Sequence, residues 1–132
     1  MRCKLVRTLL SLIAVLALSA TGAQGQQPAP DNIDGDFLFH QLLDAQTAKN
    51  YDAFVANGTL ELKAALTKTQ FDASSDLMNA RMKGGCDIRL LGELNQKGLQ
   101  VFLYRMRFKD GGDDMLGTMA LKNGQVAGIY FH

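Results

Sequence analysis

The apolar residues of this chain change their spacing at Gly84-Gly85, and that change limits the fold more than any other feature. Before the glycine pair they recur every three or four residues, the period of an amphipathic helix. After it they alternate, the period of a strand with one covered face. Helices and a meandering sheet bury their apolar sides by packing on each other. The pattern therefore predicts an α+β domain: N-terminal helices packed on a curved antiparallel four-stranded sheet.

In the first half, Leu38, Leu42 and Ala45, flanked by Phe39 and Leu43, form one stripe. The spacing predicts a helix from Phe37 to about Lys49, with Asp36 as its N-cap. A short helix over Asp52 to Ala56 should stop at Asn57-Gly58. Thr59 to Leu66 reads both ways. Leu60 and Leu62 alternate as in a strand, whereas Leu62, Ala65 and Leu66 fit a helix, which Glu61, Lys63 and two alanines favour slightly. Thr67 and Gln70 make a capping box, T-x-x-Q. The helix they open should reach about Lys83, with Phe71, Leu77 or Met78, and Met82 facing inward.

In the second half, Cys86, Ile88, Leu90 and Leu94 share a phase on a first strand. Leu99 to Lys109 sets Phe102, Tyr104, Met106 and Phe108 on one face and Arg105, Arg107 and Lys109 on the other. Gly111-Gly112 is a turn, and Met115, Gly117, Met119 and Leu121 form the inner face of a third strand. Asn123-Gly124 is a strong hairpin signal before a fourth strand, Val126 to His132. Three closely spaced turns give a meander.

The N-terminus carries a different signal. Arg2, Lys4 and Arg7 precede an uncharged apolar run from Leu9 to Ala20, followed by small residues through Gly25. This is the layout of a secretory signal peptide. The run is short of the ~20 residues a membrane span needs. The expectation is a leader cut at Ala23 or Gly25, with a retained anchor as the alternative. The product would be exported, periplasmic or secreted, with no stable membrane span. The organisation expected is a signal peptide over 1–25, a flexible linker over 26–35 and one domain over 36–132. Removing Arg2, Lys4 and Arg7 from the 14 basic residues leaves 11 against 13 acidic ones, a net charge of −2. No basic face for nucleic acid is implied.

Patterns that carry chemistry are scarce. There is no G-x-S-x-G elbow, H-E-x-x-H pair, phosphate loop or paired CxxC. Asp31, Asp34 and Asp36 lack calcium-loop spacing, so neither a metal nor another cofactor is expected. Cys86 is the only cysteine beyond the leader. It reads as a reactive thiol, an intermolecular bridge, or a small packed strand residue in phase with Ile88 and Leu90. His40 and His132 have no identifiable partner, and Asp87, Glu93 and Asp114 fall on polar faces or turns. Asn57-Gly58-Thr59 matches a glycosylation acceptor.

Two stretches carry a family resemblance. Lys49-Asn50-Tyr51-Asp52-Ala53-Phe54 resembles the "GDYDAF" step between the first two helices of the nuclear-transport-factor-two-like superfamily, also called the SnoaL-like or cystatin-like cone. Asn123 to Phe131 is similar to the "dGkIaGlyf" final hairpin of its small secreted bacterial members, many of them domains of unknown function. The resemblance implies a pocket between a concave sheet and the helices. Tyr104, Tyr130, Phe102, Met106 and Met119 are the candidates to line it; the methionines, with Met78, Met82 and Met115, equally suit core filling. Many enzymes of the superfamily have a strand between the second and third helices, which only Leu60 to Leu62 could supply here. No position matches the Asp, Tyr or His that catalytic members use, so the catalytic residues stay unknown.

Two readings of function follow. One is a non-catalytic binding domain for a small apolar ligand or a protein partner, with a homodimer through the sheet face suggested by outward Val101 and Leu103 and by the apolar residues of the fourth strand. The other is an isomerase-, dehydratase- or cyclase-type enzyme with an acid or base beside Tyr104 or Tyr130.

Overall fold

The computed structural model describes residues 34–132. The leader expected over 1–25 and all but the last two residues of the expected linker lie outside the described residues. Four helices precede four strands: α1 (Gly35–Thr47), α2 (Tyr51–Val55), α3 (Leu60–Ala65), α4 (Lys68–Met82), β1 (Cys86–Gln96), β2 (Leu99–Phe108), β3 (Met115–Lys122) and β4 (Gln125–Phe131). The strands pair antiparallel in chain order, as a meander. The α+β expectation holds. No helix among the described residues is long and apolar enough to cross a membrane.

Local chemistry sets the helix ends. Asp34, not Asp36, caps α1, its Oδ1 accepting from the Phe37 N–H at 3.1 Å. Gly35 is thus helical, and Asp36 sits in the first turn, where the dipole favours an acid. At the other end Lys49 turns left-handed (φ 56°). The Asn50 N–H donates to the Ala45 carbonyl and the Lys49 N–H to that of Gln46, the two bonds of a Schellman cap. This ends α1 at Thr47, two residues before the expected boundary. The capping box forms as expected, Thr67 Oγ1 accepting from the Gln70 N–H and Gln70 Oε1 from the Thr67 N–H.

The ambiguous segment is helical. Thr59 Oγ1 accepts from the Leu62 N–H and commits the chain to α3 instead of a strand. Only Gly58 pairs with the sheet, beside Val126. The Thr59 N–H donates to the Val126 carbonyl and the Val126 N–H to that of Asn57, which covers the start of the β4 edge.

Two bulges decide which side chains face the helices. Between Leu90 and Gly92 the β1–β2 register slips by one residue, so Leu94 pairs with Val101 on the outer face. Leu94 was expected in phase with Leu90; the inserted residue reverses it. A second slip, at Ala127, turns Tyr130 outward opposite Thr118 and Ile129 inward opposite Met119. The Tyr130 ring folds back over Gly128, where a Cβ would lie 2.9 Å from its hydroxyl oxygen.

The inner face of β2 and β3 holds the core expected of it. Phe102, Tyr104, Met106, Phe108, Met119 and Leu121 are all buried, with Phe39, Leu42 and Leu43 of α1 above them. Full burial of each such side chain is worth roughly 1.5–3 kcal/mol. Phe39 reaches the sheet because Gly117 has no side chain; a Cβ there would meet the Phe39 ring at 2.8 Å.

Candidate functional site

Helix α4 rests on α1 and α2. Phe71 packs against Phe54 (ring centroids 5.0 Å apart) and edge-on against Tyr51 (5.7 Å). Asn79 Nδ2 donates to the Thr47 carbonyl at 3.1 Å, and Lys49 pairs with Asp76 at 2.8 Å. At its C-terminal end Arg81 donates through Nε to Asp110 and through Nη2 to the Asp113 carbonyl. These ties hold α4 beside, not pressed onto, the inner face near β4. The space left is a cavity of about 680 Å³, within the range of small-molecule sites.

The cavity wall is mostly apolar. Phe54, Leu62, Leu66, Phe71 and Met78 come from the helices, and Met115, Ile129 and Phe131 from the strands. Leu77, Ala80, Arg81, Tyr130 and His132 add to the lining. Leu77, offered with Met78 as an inward residue, is 74% exposed, while Met78 is buried. Two polar side chains from the helices also border the cavity, Gln46 of α1 and Ser74 of α4. Gln46 Nε2 donates to Ser74 Oγ at 2.7 Å. Gln46 is 1% exposed, and its Oε1 is buried with no hydrogen-bond partner.

Of the five residues proposed from the sequence to line a pocket, Tyr130 alone borders this one, and its ring turns to the outer face, where it is exposed. Tyr104, Phe102, Met106 and Met119 share the inner face but lie in the closed core beneath α1. The Tyr104 hydroxyl is buried without a hydrogen-bond partner. Burial, then the nearby Asp36 charge, pushes its pKa well above the usual phenol range. Gln46 escaped sequence reasoning, although its position gave a signal: it lies four residues after Leu42 and three after Leu43, on the apolar stripe.

The remaining candidates lie elsewhere. His40 is exposed on α1, and His132 is exposed, its ring stacked 6.5 Å from that of Tyr130. Asp87, Glu93 and Asp114 are exposed, and among the described residues no Asp or Glu lines the cavity. Cys86 is half-buried, and burial, then the Asp87 charge, raises its thiol pKa, the direction of a packed and unreactive cysteine. Among the described residues no three His, Cys, Asp or Glu side chains come together as a metal site.

No protein-family model matches the chain, and no curated protein matches it. Two solved structures are similar in arrangement. An uncharacterized cystatin-fold protein from Novosphingobium aromaticivorans is 11% identical over 73% of this chain and 95% of its own, with a TM-score of 0.42. A SnoaL-like protein described as a polyketide cyclase, from Shewanella putrefaciens, is 18% identical over 100% of this chain and 91% of its own, with a TM-score of 0.38. The α+β assignment itself stands on the strand order and register above.

Proposed function

We propose that this is an exported, non-catalytic domain that binds a small, mostly apolar molecule in the cavity between α3, α4 and the β4 side of the sheet. The observation carrying this reading is the cavity wall: ten apolar side chains around about 680 Å³, with Gln46 the one buried polar side chain in it among the described residues. Such a wall gains free energy from covering apolar ligand surface. Proton abstraction from a carbon acid needs a base held against the substrate. Among the described residues the ionisable groups bordering this cavity, beyond outward-turned Tyr130, are Arg81, already paired with Asp110, and exposed His132. Export is supported by the basic, apolar and small-residue succession over Arg2 to Gly25.

Naphthalene, an uncharged probe without hydrogen-bonding groups, tests the cavity reading. Saturable binding, followed by NMR shifts at Ile129 and Phe131, is expected, and Ile129→Trp should weaken it at unchanged thermal midpoint. Absence of saturable binding, or shifts confined to other residues, would refute it.

A second copy on the outer sheet face is the other interaction that the surface favours. Leu94, Leu103, Leu116 and Tyr130 lie there, although Val101, expected to contribute, is already 7% exposed within one chain. Light scattering after size exclusion should give a dimer mass that Leu103→Arg reduces to a monomer. A monomer of the native protein at tens of micromolar ends that reading.

A further inference from the structure

Strand β1 is an outer strand of the sheet, and the phase of its ladder shows which backbone groups are left at the edge. The Lys109 N–H donates to the Gly85 carbonyl at 3.0 Å. Residues 85, 87 and 89 therefore turn their backbone groups toward β2, and Cys86, Ile88 and Leu90 turn theirs away from it. Among the described residues no other strand pairs with that edge. Natural edges are commonly guarded by lysine, proline or a bulge. Residues 86–90 contain neither lysine nor proline, and the bulge comes only after them, between Leu90 and Gly92. Leu90 is 40% exposed, so the apolar side of this stretch is open as well.

The stretch is also complementary to itself. A two-fold axis perpendicular to the sheet sets two copies of it antiparallel, each residue facing its counterpart across one central position. The outward groups of two or more of these residues meet when that centre is 87, 88 or 89. A centre at 87 sets Asp87 against its own copy, and a centre at 89 does the same to Arg89. Like charges directly opposite one another destabilise a sheet. A centre at Ile88 instead sets Asp87 of each copy against Arg89 of the other. On the inner face it brings Ile88 to Ile88 and Cys86 to Leu90, and the backbone groups of all three outward residues pair.

Within one copy Arg89 lacks such a partner. It lies directly across from Arg105, and Asp87 is 3.8 Å from Arg105. No ion pair among the described residues includes Arg89. We infer that two copies of this chain join edge to edge through residues 86–90 of β1, antiparallel and centred on Ile88, into one continuous sheet. The bulge ends the contact by bending the strand beyond it. Among the described residues none of β1 lines the cavity, so pairing here leaves ligand binding there unaffected. The contact is small, and a dissociation constant on the order of 100 µM is expected, weaker than an outer-face dimer seen at tens of micromolar.

Solvent exchange of the backbone amides, measured by NMR at about 20 µM and about 1 mM, tests this residue by residue. The N–H groups of Cys86, Ile88 and Leu90 should exchange roughly three- to fivefold more slowly at the higher concentration, because only separated copies exchange. Leu103→Arg, which disrupts the outer face, should leave that slowing in place. Asp87→Arg and Arg89→Asp should each abolish it, since either sets like charges opposite one another. An equal mixture of those two variants should restore it, and so should one chain carrying both substitutions. Native exchange in β3 reports that each variant has folded. The native protein and the doubly substituted chain decide the matter even where a single variant does not fold.

Exchange independent of concentration in the native protein would overturn the inference and leave the cavity reading standing. Slowing that survives either single substitution would overturn the register centred on Ile88. Loss in the single variants without recovery in the mixture would overturn it in favour of a role for these charges within one copy. Slowing that disappears in Leu103→Arg would overturn it in favour of the outer face.

Discussion

The ring of Phe39 lies flat against that of Tyr104, centroids 3.9 Å apart and planes 11° from parallel. One residue comes from the first helix and the other from the middle of the sheet, so this contact closes the core beneath α1. It also encloses the Tyr104 hydroxyl without a hydrogen-bond partner. Tyr104→Phe removes an unsatisfied buried group while keeping the stacked ring, and is expected to stabilise the domain by about 1 kcal/mol. Urea unfolding of both proteins at neutral pH gives the comparison. A destabilised variant would show that the hydroxyl has a partner in solution.

The same residue sets an alkaline limit. Its folded pKa is raised, by burial first, above the value near 10 of an unfolded tyrosine. Below pH 10 the phenol is protonated in both states and the full stability is present. As pH rises beyond that, the unfolded chain ionises first and stability falls until the folded pKa is passed. Tyr104→Phe should flatten this part of the decline between pH 10 and 11.5, read as urea midpoints. Identical slopes for the two proteins would mean that Tyr104 ionises as freely folded as unfolded.

Gly117 is the floor on which Phe39 sits. A Cβ at this position would lie 2.8 Å from Phe39 Cζ and 3.4 Å from Met106 Sδ. Phe39 is trapped between the sheet and its own helix and has no room to retreat. Gly117→Ala should therefore cost roughly 1–3 kcal/mol by overpacking, despite the general preference for alanine over glycine in strands. Unchanged thermal midpoints would indicate that α1 lifts from the sheet at little cost.

What was legible in the sequence follows from which interactions are local. The switch of period at Gly84-Gly85, the Thr67–Gln70 box and the Asn123-Gly124 turn each act within a few residues, and each element appears near its expected place. The inner faces of β2 and β3 were legible for the same reason. Leu94 and Tyr130 were not, because each lies beyond an inserted residue that reverses the alternation, and no composition marks Leu91 or Ala127 as the insertion. The cavity depends on how far α4 stands from the sheet, which is fixed by contacts spanning about 30 residues, such as Asn79 with Thr47 and Arg81 with Asp110. Tyr104, Phe102, Met106 and Met119 were placed on the correct face, but α1 seals that part of it. Gln46 could have been singled out as a polar residue on an apolar stripe; its unpaired state could not.

The β1–β2 turn carries an avoidable strain. Lys97 and Gly98 have φ of 51° and 81°, the pattern also found at Asn123 and Gly124 (50° and 82°) in the β3–β4 turn. Both central residues of such a two-residue hairpin turn are left-handed, a conformation that asparagine tolerates better than lysine. Lys97→Asn should raise stability by roughly 0.5–1 kcal/mol without affecting probe binding at the distant cavity. Thermal unfolding measures it, and an unchanged or lowered midpoint would contradict the turn geometry.

Arg81 joins the C-terminal end of α4 to the β2–β3 loop, and this junction governs the response to acid. Asp110 accepts from Arg81 and, at 2.9 Å, from the Gly112 N–H. The guanidinium first, and the Gly112 N–H second, hold its carboxyl below the usual carboxylate range. A depressed folded pKa contributes stability that is fully present above the unfolded value near 3.9 and is lost as pH falls through the folded one. Asp110→Asn should therefore be less stable than the native protein at pH 7, with the difference narrowing below pH 4. Urea midpoints at pH 7, 4 and 2.5 give the test. Because Arg81 also borders the cavity, the variant frees a guanidinium there, and 2-naphthoate should gain affinity relative to 2-naphthol at pH 7. A constant stability gap across the three pH values would place the junction's strength in its shape, not in the Asp110 charge.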